Sequence, residues 1–383
     1  MNAVLVLNAG SSSLKFALYD AAGRCLHGQL QGMLSTPSLR VYAGDAPIAT
    51  QRWDAPISAD SALDRVLDGL QSWAPEHSLG AVGHRVVHGG LRAQPARVDA
   101  ALLAELDALT PLAPLHQPAN LAAIRRIAAR APTLPQVACF DTAFHRTQNE
   151  LQQRYALPPA WFDAGVRRYG YHGLSYQWIA SQLPALDADA AAGRSIVLHL
   201  GNGCSLCALH QGHSVATSMG FSTLDGVPMA TRSGALDPGV LLYLLRQGLS
   251  LDALEDLLYR QSGWLGVSGL SADMRVLLAS EQPSARLAIA LFVERVVAEV
   301  GALAATLGGL DALVFTGGIG ENAAPIRAAV CTRLEWLGLR LDPSANATHG
   351  PRISHPDSRL RAYVLPTNEE AVIARETQAL VAQ

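Results

Sequence analysis

Several short clusters in the chain pair glycine with residues that can hold phosphate or carboxylate oxygens. Asn8, Gly10, Ser11, Ser12 and Ser13 lie between two apolar runs, Val4–Leu7 and Leu14–Tyr19, and Lys15 follows at once. Such residues turn a chain tightly and leave N–H groups and hydroxyls free, so the stretch reads either as a phosphate cradle or as an ordinary polar hairpin. Arg85 stands in Gly83-His-Arg-Val-Val-His-Gly-Gly90 near a strand end. Its guanidinium is a fork for carboxylate or phosphate, or one half of a surface ion pair. Asp141 ends the strand Gln136–Thr142, the place where α/β proteins gather their chemistry, and is equally a helix N-cap. His116, after Leu115, stands among the prolines 111, 114 and 118, with or without a role. His172 and Arg232 occupy two further glycine-containing loops. Positive donors of this kind suit the three equatorial oxygens of a phosphoryl group in flight. Asp273-Met274-Arg275 and the turn 317–322 could hold a nucleoside, with a helix after Asn322 aimed at phosphate. Glu369 and Glu370 open the last helix, where acids either offset the helix dipole or bind magnesium.

The elements that must position these residues alternate between strand and helix. The plan of the first hairpin returns about half a chain later, in Ser195–Leu209, with an Asn202-Gly203 turn. A third strand, Asp311–Thr316, runs into Gly317–Asn322. Two related hairpins and a glycine turn suit a nucleotide held between related α/β domains. Helices are expected at Ser61–Trp73, Asp99–Leu109, Asn120–Ala131 (capped by Asn120), Gly239–Gly248, Leu251–Tyr259, Ala285–Leu307, Pro325–Leu337 and Asn368–Ala382. The long one, apolar on most sides, is expected to be buried. Residues 35–60 and 214–239 read as loops, the former with short strands. Cys204 and Cys207 have CxxC spacing, but in a strand they point to opposite faces and cannot share a metal or a disulfide.

Bulk properties exclude several classes. A length of 383 residues suggests two or three domains. A net charge of −3 argues against a nucleic-acid partner. No apolar run reaches the ~20 residues of a membrane span, and no basic segment precedes the first strand, so a cytoplasmic enzyme is expected. Five cysteines in a chain of this length make no disulfide framework. Lys15 is the only lysine, so no Gly-Lys pair exists and a P-loop is excluded.

With these residues assembled, the chain resembles the acetate/propionate kinase family. The resemblance rests on Leu7–Lys15, Gly83–Gly90, Phe140–His145, Arg168–Gly173, His199–Gly203, Thr231–Gly234, Asp273–Arg275, Thr316–Asn322 and Pro366–Glu370, which occur in the family's order along the whole chain. It implies a duplicated actin-like, sugar-kinase-like (ribonuclease H-like) α/β fold with a nucleotide cleft between the domains. The expected domains are 1–147 with 368–383, and 148–367, the second binding nucleotide and forming a homodimer. It further implies ATP and ADP as substrates, Mg2+ (or Mn2+) at Asn8 and Glu369, and a small carboxylate as acceptor. Arg85 would grip the carboxylate or phosphate, Asp141 would be the active-site acid, and His172 and Arg232 would stabilise the transition state. Val87, Leu115, His116, Tyr171 and Thr223 would form the acyl site. Lys15, His199, Leu200, Gly201, Asn202, Gly203, Asp273, Met274, Arg275, Gly318, Ile319, Gly320, Glu321 and Asn322 would line the nucleotide site. The sequence departs from the family's pattern at Tyr171 (usually Phe), Thr223 (usually Pro), Ala235 (usually Asp) and Tyr176 (often His). A kinase for propionate or another short acid is the alternative reading. A nucleotide-switched actin-like ATPase is a remote one, since it would need no Arg and His aimed at a second substrate.

Overall fold

The computed structural model describes residues 2–382, and the chain divides into two compact units: residues up to 146 together with those from 368, and residues 147–367. The first unit is built on eight strands: β1 (Asn2–Ala9), β2 (Ser13–Asp20), β3 (Gly23–Gln31), β4 (Ser38–Ala43), β5 (Ala46–Arg52), β6 (Ser78–Val86), β7 (Ala96–Arg97) and β8 (Gln136–Phe140). Their order is β5-β4-β3-β2-β1-β6-β8-β7, with β1 to β5 an antiparallel meander and β6 and β8 parallel to β1. The short strands expected within residues 35–60 are β4 and β5, a regular hairpin whose extent is set by pairing to β3.

Alternation along β1 sets the two faces. Ala3, Leu5 and Leu7 join a core with Leu63 and Val66 of the helix Ala59–Trp73 and Ile127 of the helix Gln117–Arg130. Val6 pairs in register with Gly83, which lies against Ile373 and Thr377 of the closing helix Glu369–Val381. A Cβ at 83 would stand 2.4 Å from Thr377 Oγ1, so glycine lets that helix pack onto the sheet. Asn8 and Arg85, each two residues further along its strand, fall on the same face.

The second unit repeats the plan with β9 (Arg194–Leu200), β10 (Cys204–His210), β11 (His213–Thr217), β12 (Ala312–Thr316) and β13 (Arg361–Val364), in the order β11-β10-β9-β12-β13. β9, β10 and β11 are antiparallel neighbours, and β12 and β13 run parallel to β9. This is the order β3-β2-β1-β6-β8 over again. The strand β11 falls within a stretch read from sequence as loop. The helix Pro283–Leu307 buries Ala285, Ala288, Phe292, Val296, Val300 and Leu303, spaced three or four apart, while Leu287 is 61% exposed. It is thus buried on one side rather than most.

Candidate functional site

In the first unit four of the expected residues meet at the ends of β1, β6 and β8. Arg85, in β6, forks onto Asp141 just past β8, with Nε 3.2 Å from Oδ1 and Nη2 2.5 Å from Oδ2. Its Nη1 donates to Asn8 Oδ1 at 3.2 Å, and Nε lies 3.6 Å from Glu369 Oε2 at the start of the closing helix. Asp141 is therefore an ion-pair partner and not a helix cap. One guanidinium serves two carboxylates here. Burial pushes the Asp141 carboxyl up to about 6 against the pull of Arg85, and the neighbouring Glu369 adds to the rise. Burial also works against the Arg85 charge, but Asp141 and Glu369 outweigh it and raise its pKa. Three hard oxygen donors with surplus negative charge are the chemistry that magnesium or manganese selects. Asn8, Glu369 and Asp141 thus fit the metal the resemblance implies.

Lys15 is the register partner of Asn8 across β1 and β2, and its side chain is exposed on the same face of the sheet. Val87 is buried, and Leu115 and His116 are half-buried ahead of the helix Gln117–Arg130. That helix begins three residues before Asn120, so Asn120 is not its cap. Asn120 Oδ1 instead accepts from the Val87 N–H (3.0 Å), and its Nδ2 donates to Ala9 C=O (2.7 Å). Gln117 Nε2 donates to His88 C=O (3.0 Å), and its Oε1 accepts from the His88 N–H (3.2 Å). These two amides fix the chain just after Arg85 and were missed in the sequence, where an Asn near a helix start reads as a cap. His84 and His88 are core histidines, and burial pushes each down to about 4.

In the second unit His172, Arg232 and Gly203 come together. His172 takes a left-handed conformation (φ 58°) at the start of the helix Gly173–Leu186. Its Nδ1 lies 2.8 Å from Ser205 Oγ, which also meets the Tyr176 hydroxyl. Its ring stacks on His199, centroids 4.2 Å apart, and His199 Nδ1 lies 2.8 Å from Ser175 Oγ. A Cβ on Gly203 would come within 2.8 Å of Arg232 Nη2 and 3.3 Å of His172 Nε2. Arg232 Nη1 donates to Thr223 C=O at 2.9 Å. Burial lowers the pKa of this guanidinium, and the neighbouring Cys204 thiol and Tyr259 hydroxyl, both themselves raised by burial, carry no charge to offset it at neutral pH. Among the described residues no Asp or Glu forms an ion pair with it. A desolvated cation answered by one carbonyl is poised for an anion. Tyr171 is buried and donates its hydroxyl to Phe221 C=O at 2.8 Å, so the extra oxygen at this position holds the 221–223 segment.

The nucleotide-site candidates divide into two groups. The 199–203 turn is tied to the Arg232 loop by the Ala230 N–H on Asn202 C=O (3.2 Å). Gly318 N lies 3.9 Å from a Cβ placed on Gly201. The glycine turn is itself a helix, Gly317–Asn322, beginning directly at the end of β12 instead of after Asn322. Gly317 (φ +77°) makes the sharp entry beneath Leu200 C=O, where any side chain would clash at 2.8 Å. Glu321 accepts from the N–H groups of Gly317 (2.9 Å) and Thr367 (3.1 Å), so its carboxylate is committed to the fold. Gly320 is buried, leaving Gly318, Ile319 and Asn322 towards solvent. Asp273 caps the helix Met274–Leu278 and pairs with Arg275 at 2.6 Å, and Met274 packs inward. Cys204 and Cys207 bond separately, to Gly201 C=O and to Ser214, and burial pushes both thiols up to about 12.

Among the described residues no helix is long and apolar enough to cross a membrane. The family model described as the Acetokinase family matches residues 3–375. An acetate kinase of Rhodopseudomonas palustris is 50% identical, with 98% of each chain covered. One from Rhizobium meliloti is 48% identical over 100% of this chain and 99% of that one. Among solved structures, a propionate kinase of Francisella tularensis superposes with a TM-score of 0.92 at 38% identity, covering 99% of this chain and all of the other. An acetate kinase of Porphyromonas gingivalis does so with a TM-score of 0.88 at 36% identity, over the whole of both chains. With the nine sequence clusters held on a fold shared from end to end with such enzymes, the chain belongs to the acetokinase family.

Proposed function

We propose that the protein transfers the γ-phosphoryl group of ATP reversibly to acetate, and to propionate as a second substrate, yielding an acyl phosphate and ADP. The observation that carries this reading is Arg232, a desolvated guanidinium without a carboxylate partner, set beside His172 over Gly203. Such donors match the equatorial oxygens of a phosphoryl group in transfer. An actin-like switch ATPase has no use for them.

A carboxylic acid with a pKa of ~4–5 is ionised at neutral pH, so the acceptor needs no general base. One of its oxygens attacks the γ-phosphorus as the bond to the β,γ-bridging oxygen breaks, and ADP leaves with that electron pair. Arg85 binds the carboxylate, and Asp141 orients Arg85 instead of moving a proton. Val87, Leu115, His116, Tyr171 and Thr223 bound the acyl group. His199–Gly203, Asp273, Arg275, Gly318, Ile319 and Asn322 hold the nucleotide, with Met274, Gly320 and Glu321 shaping the backbone beneath it. Asn8 and Glu369 hold Mg2+ or Mn2+, which when bound neutralises charge on the nucleotide phosphates. The protein is read as a cytoplasmic enzyme.

A hydroxamate assay across formate, acetate, propionate and butyrate tests the assignment. Acetate and propionate are expected as good substrates, with formate and butyrate poor. One methylene changes discrimination by only about 1–3 kcal/mol, so the profile is graded. Preference for butyrate over acetate would overturn the acyl site, and no product with any acid would overturn the activity.

Lys15 offers a second test. It shares a face with Asn8, and its compact ammonium suits phosphate oxygens in a way that the bulkier planar guanidinium does not. Lys15→Arg should leave the melting temperature unchanged and lower turnover at least tenfold at saturating Mg2+ and ATP. Unchanged turnover would remove Lys15 from the cradle.

A homodimer is part of the proposal. The helix Pro238–Arg246 buries none of its residues, and Leu242, Tyr243 and nearby Leu251 are 55%, 60% and 72% exposed. An apolar surface of this kind marks a protein interface, and a second copy of this chain is the proposed occupant. Leu242→Asp combined with Tyr243→Asp should convert a dimer to a monomer in light scattering, whereas an unchanged mass would place the interface elsewhere.

A further inference from the structure

In the first unit, the end of β2 opposite Lys15 carries a second cluster of ligand-type side chains. Asp20 ends β2, Cys25 lies in β3, and His77 immediately precedes β6. Five residues of strand separate Asp20 from Lys15, ~17 Å at ~3.4 Å per residue, so the cluster is distinct from the Asn8–Arg85 group. His77 Nε2 lies 3.4 Å from Cys25 Sγ and 3.2 Å from Asp20 Oδ2, and the three ligand atoms all lie within 4.8 Å of one another. The side chains of His77 and Asp20 are only 6% and 12% exposed.

We propose that Asp20, Cys25 and His77 bind a thiophilic divalent cation of the zinc(II) class, with water in the fourth position. In a tetrahedral site with bonds of ~2.3 Å to sulfur and ~2.0–2.1 Å to nitrogen and oxygen, neighbouring ligands stand about 3.4–3.6 Å apart. The two measured separations are already within about 0.2 Å of those edges. Sulfur and imidazole select zinc or cobalt over magnesium. The surroundings also hold the ligands. The N–H groups of Ala22 (2.8 Å) and Gly23 (3.1 Å) fix Oδ1 of Asp20 and leave Oδ2 towards His77. Glu76 sets a carboxylate oxygen 3.0 Å from His77 Nδ1 but outside hydrogen-bonding geometry, so a small turn of either side chain would make it the outer carboxylate of a carboxylate–histidine–metal triad. Ligation needs the Cys25 thiolate, so binding releases one proton per ion. The bound ion would tie the β2–β3 turn to the strand that carries Arg85.

The test uses full-length protein, stripped with chelator and kept in excess Mg2+ so that oxygen-only sites are filled, then titrated with Zn2+. Bound zinc is counted by elemental analysis after gel filtration, and Cys25 alkylation is followed by peptide mass spectrometry. The other four cysteines are buried and serve as an internal control. One zinc per chain is expected, with Cys25 alkylation slowed at least tenfold. Cys25→Ser and His77→Gln should each lose that equivalent, and Glu76→Gln should retain it with an affinity weaker by about 10–100-fold. No zinc uptake by the parent, or equal uptake and equal protection of Cys25 in His77→Gln, would overturn the site and leave an imidazole–carboxylate pair. Parental affinity in Glu76→Gln would overturn the outer carboxylate.

Discussion

Arg232→Ala is expected to lower turnover by on the order of a hundredfold or more while ATP affinity changes little. The guanidinium is held by Thr223 C=O and aimed past Gly203 beside His172, with no carboxylate to neutralise it. In the ground state its charge is only partly used. In the transition state it meets oxygens on the transferring phosphoryl group, and the loss of one such preorganised donor is typically worth ~3 kcal/mol. Because the interaction forms mainly in the transition state, the loss falls on kcat rather than on ground-state binding. Stability should hold or rise, since alanine removes a desolvated charge. Initial rates with acetate over a range of ATP concentrations separate the two effects. Turnover within threefold of the parent would take Arg232 out of the site.

Arg85→Met should strike the first unit's stability as well as its chemistry. It leaves Asp141, a buried carboxylate, without the guanidinium that now forks onto it. Breaking such a pair typically costs about 3–5 kcal/mol, and the side chain of Arg85, 20% exposed, places the expected loss near the lower figure. The loss should depend on pH in a definite sense. Burial already raises the Asp141 carboxyl above its ordinary value of 3.8, to about 6. A carboxyl raised by folding contributes stability at pH values below its unfolded pKa, and that contribution is lost as pH rises through the folded pKa. Removing Arg85 takes away an influence that lowers this pKa, so the folded value climbs further and the loss extends to higher pH. The variant's deficit should therefore be small near pH 5 and large near pH 8. Hydrogen exchange of peptides covering β1 and β6 reads this locally in parent and variant at both pH values. A deficit as large at pH 5 as at pH 8 would mean that Asp141 is not the group left stranded.

Most of the architecture was legible in the sequence because strands and helices bury apolar residues at their own periods. The hairpins Asn2–Asp20 and Arg194–His210 and the helix following Ser58 announced themselves in that way. Elements that owe their form to partners did not. The strand β11, and the extent of β4 and β5 where only short strands were expected, are set by pairing to a neighbouring strand, which a local pattern does not report. The helix at Gly317 starts earlier than its residue types suggest, with the Glu321 carboxylate accepting from its first N–H. Asn120 looked like a cap from chain position alone, whereas its amide bridges β1 and the exit of β6 from inside a helix.

The same division runs through the chemistry. The sequence by itself determined which residue types are present, their order, and the family resemblance, because glycines and charged residues at fixed spacing are local properties of a chain. Tertiary structure alone decided their electrostatic state. It set Arg85 between two carboxylates and Arg232 beside none, and it turned the Tyr171 hydroxyl to Phe221. It also brought Cys25 to His77 across 52 residues. Such pairings depend on which strand lies next to which and on how much water burial removes, and neither quantity is written at any single position of the sequence.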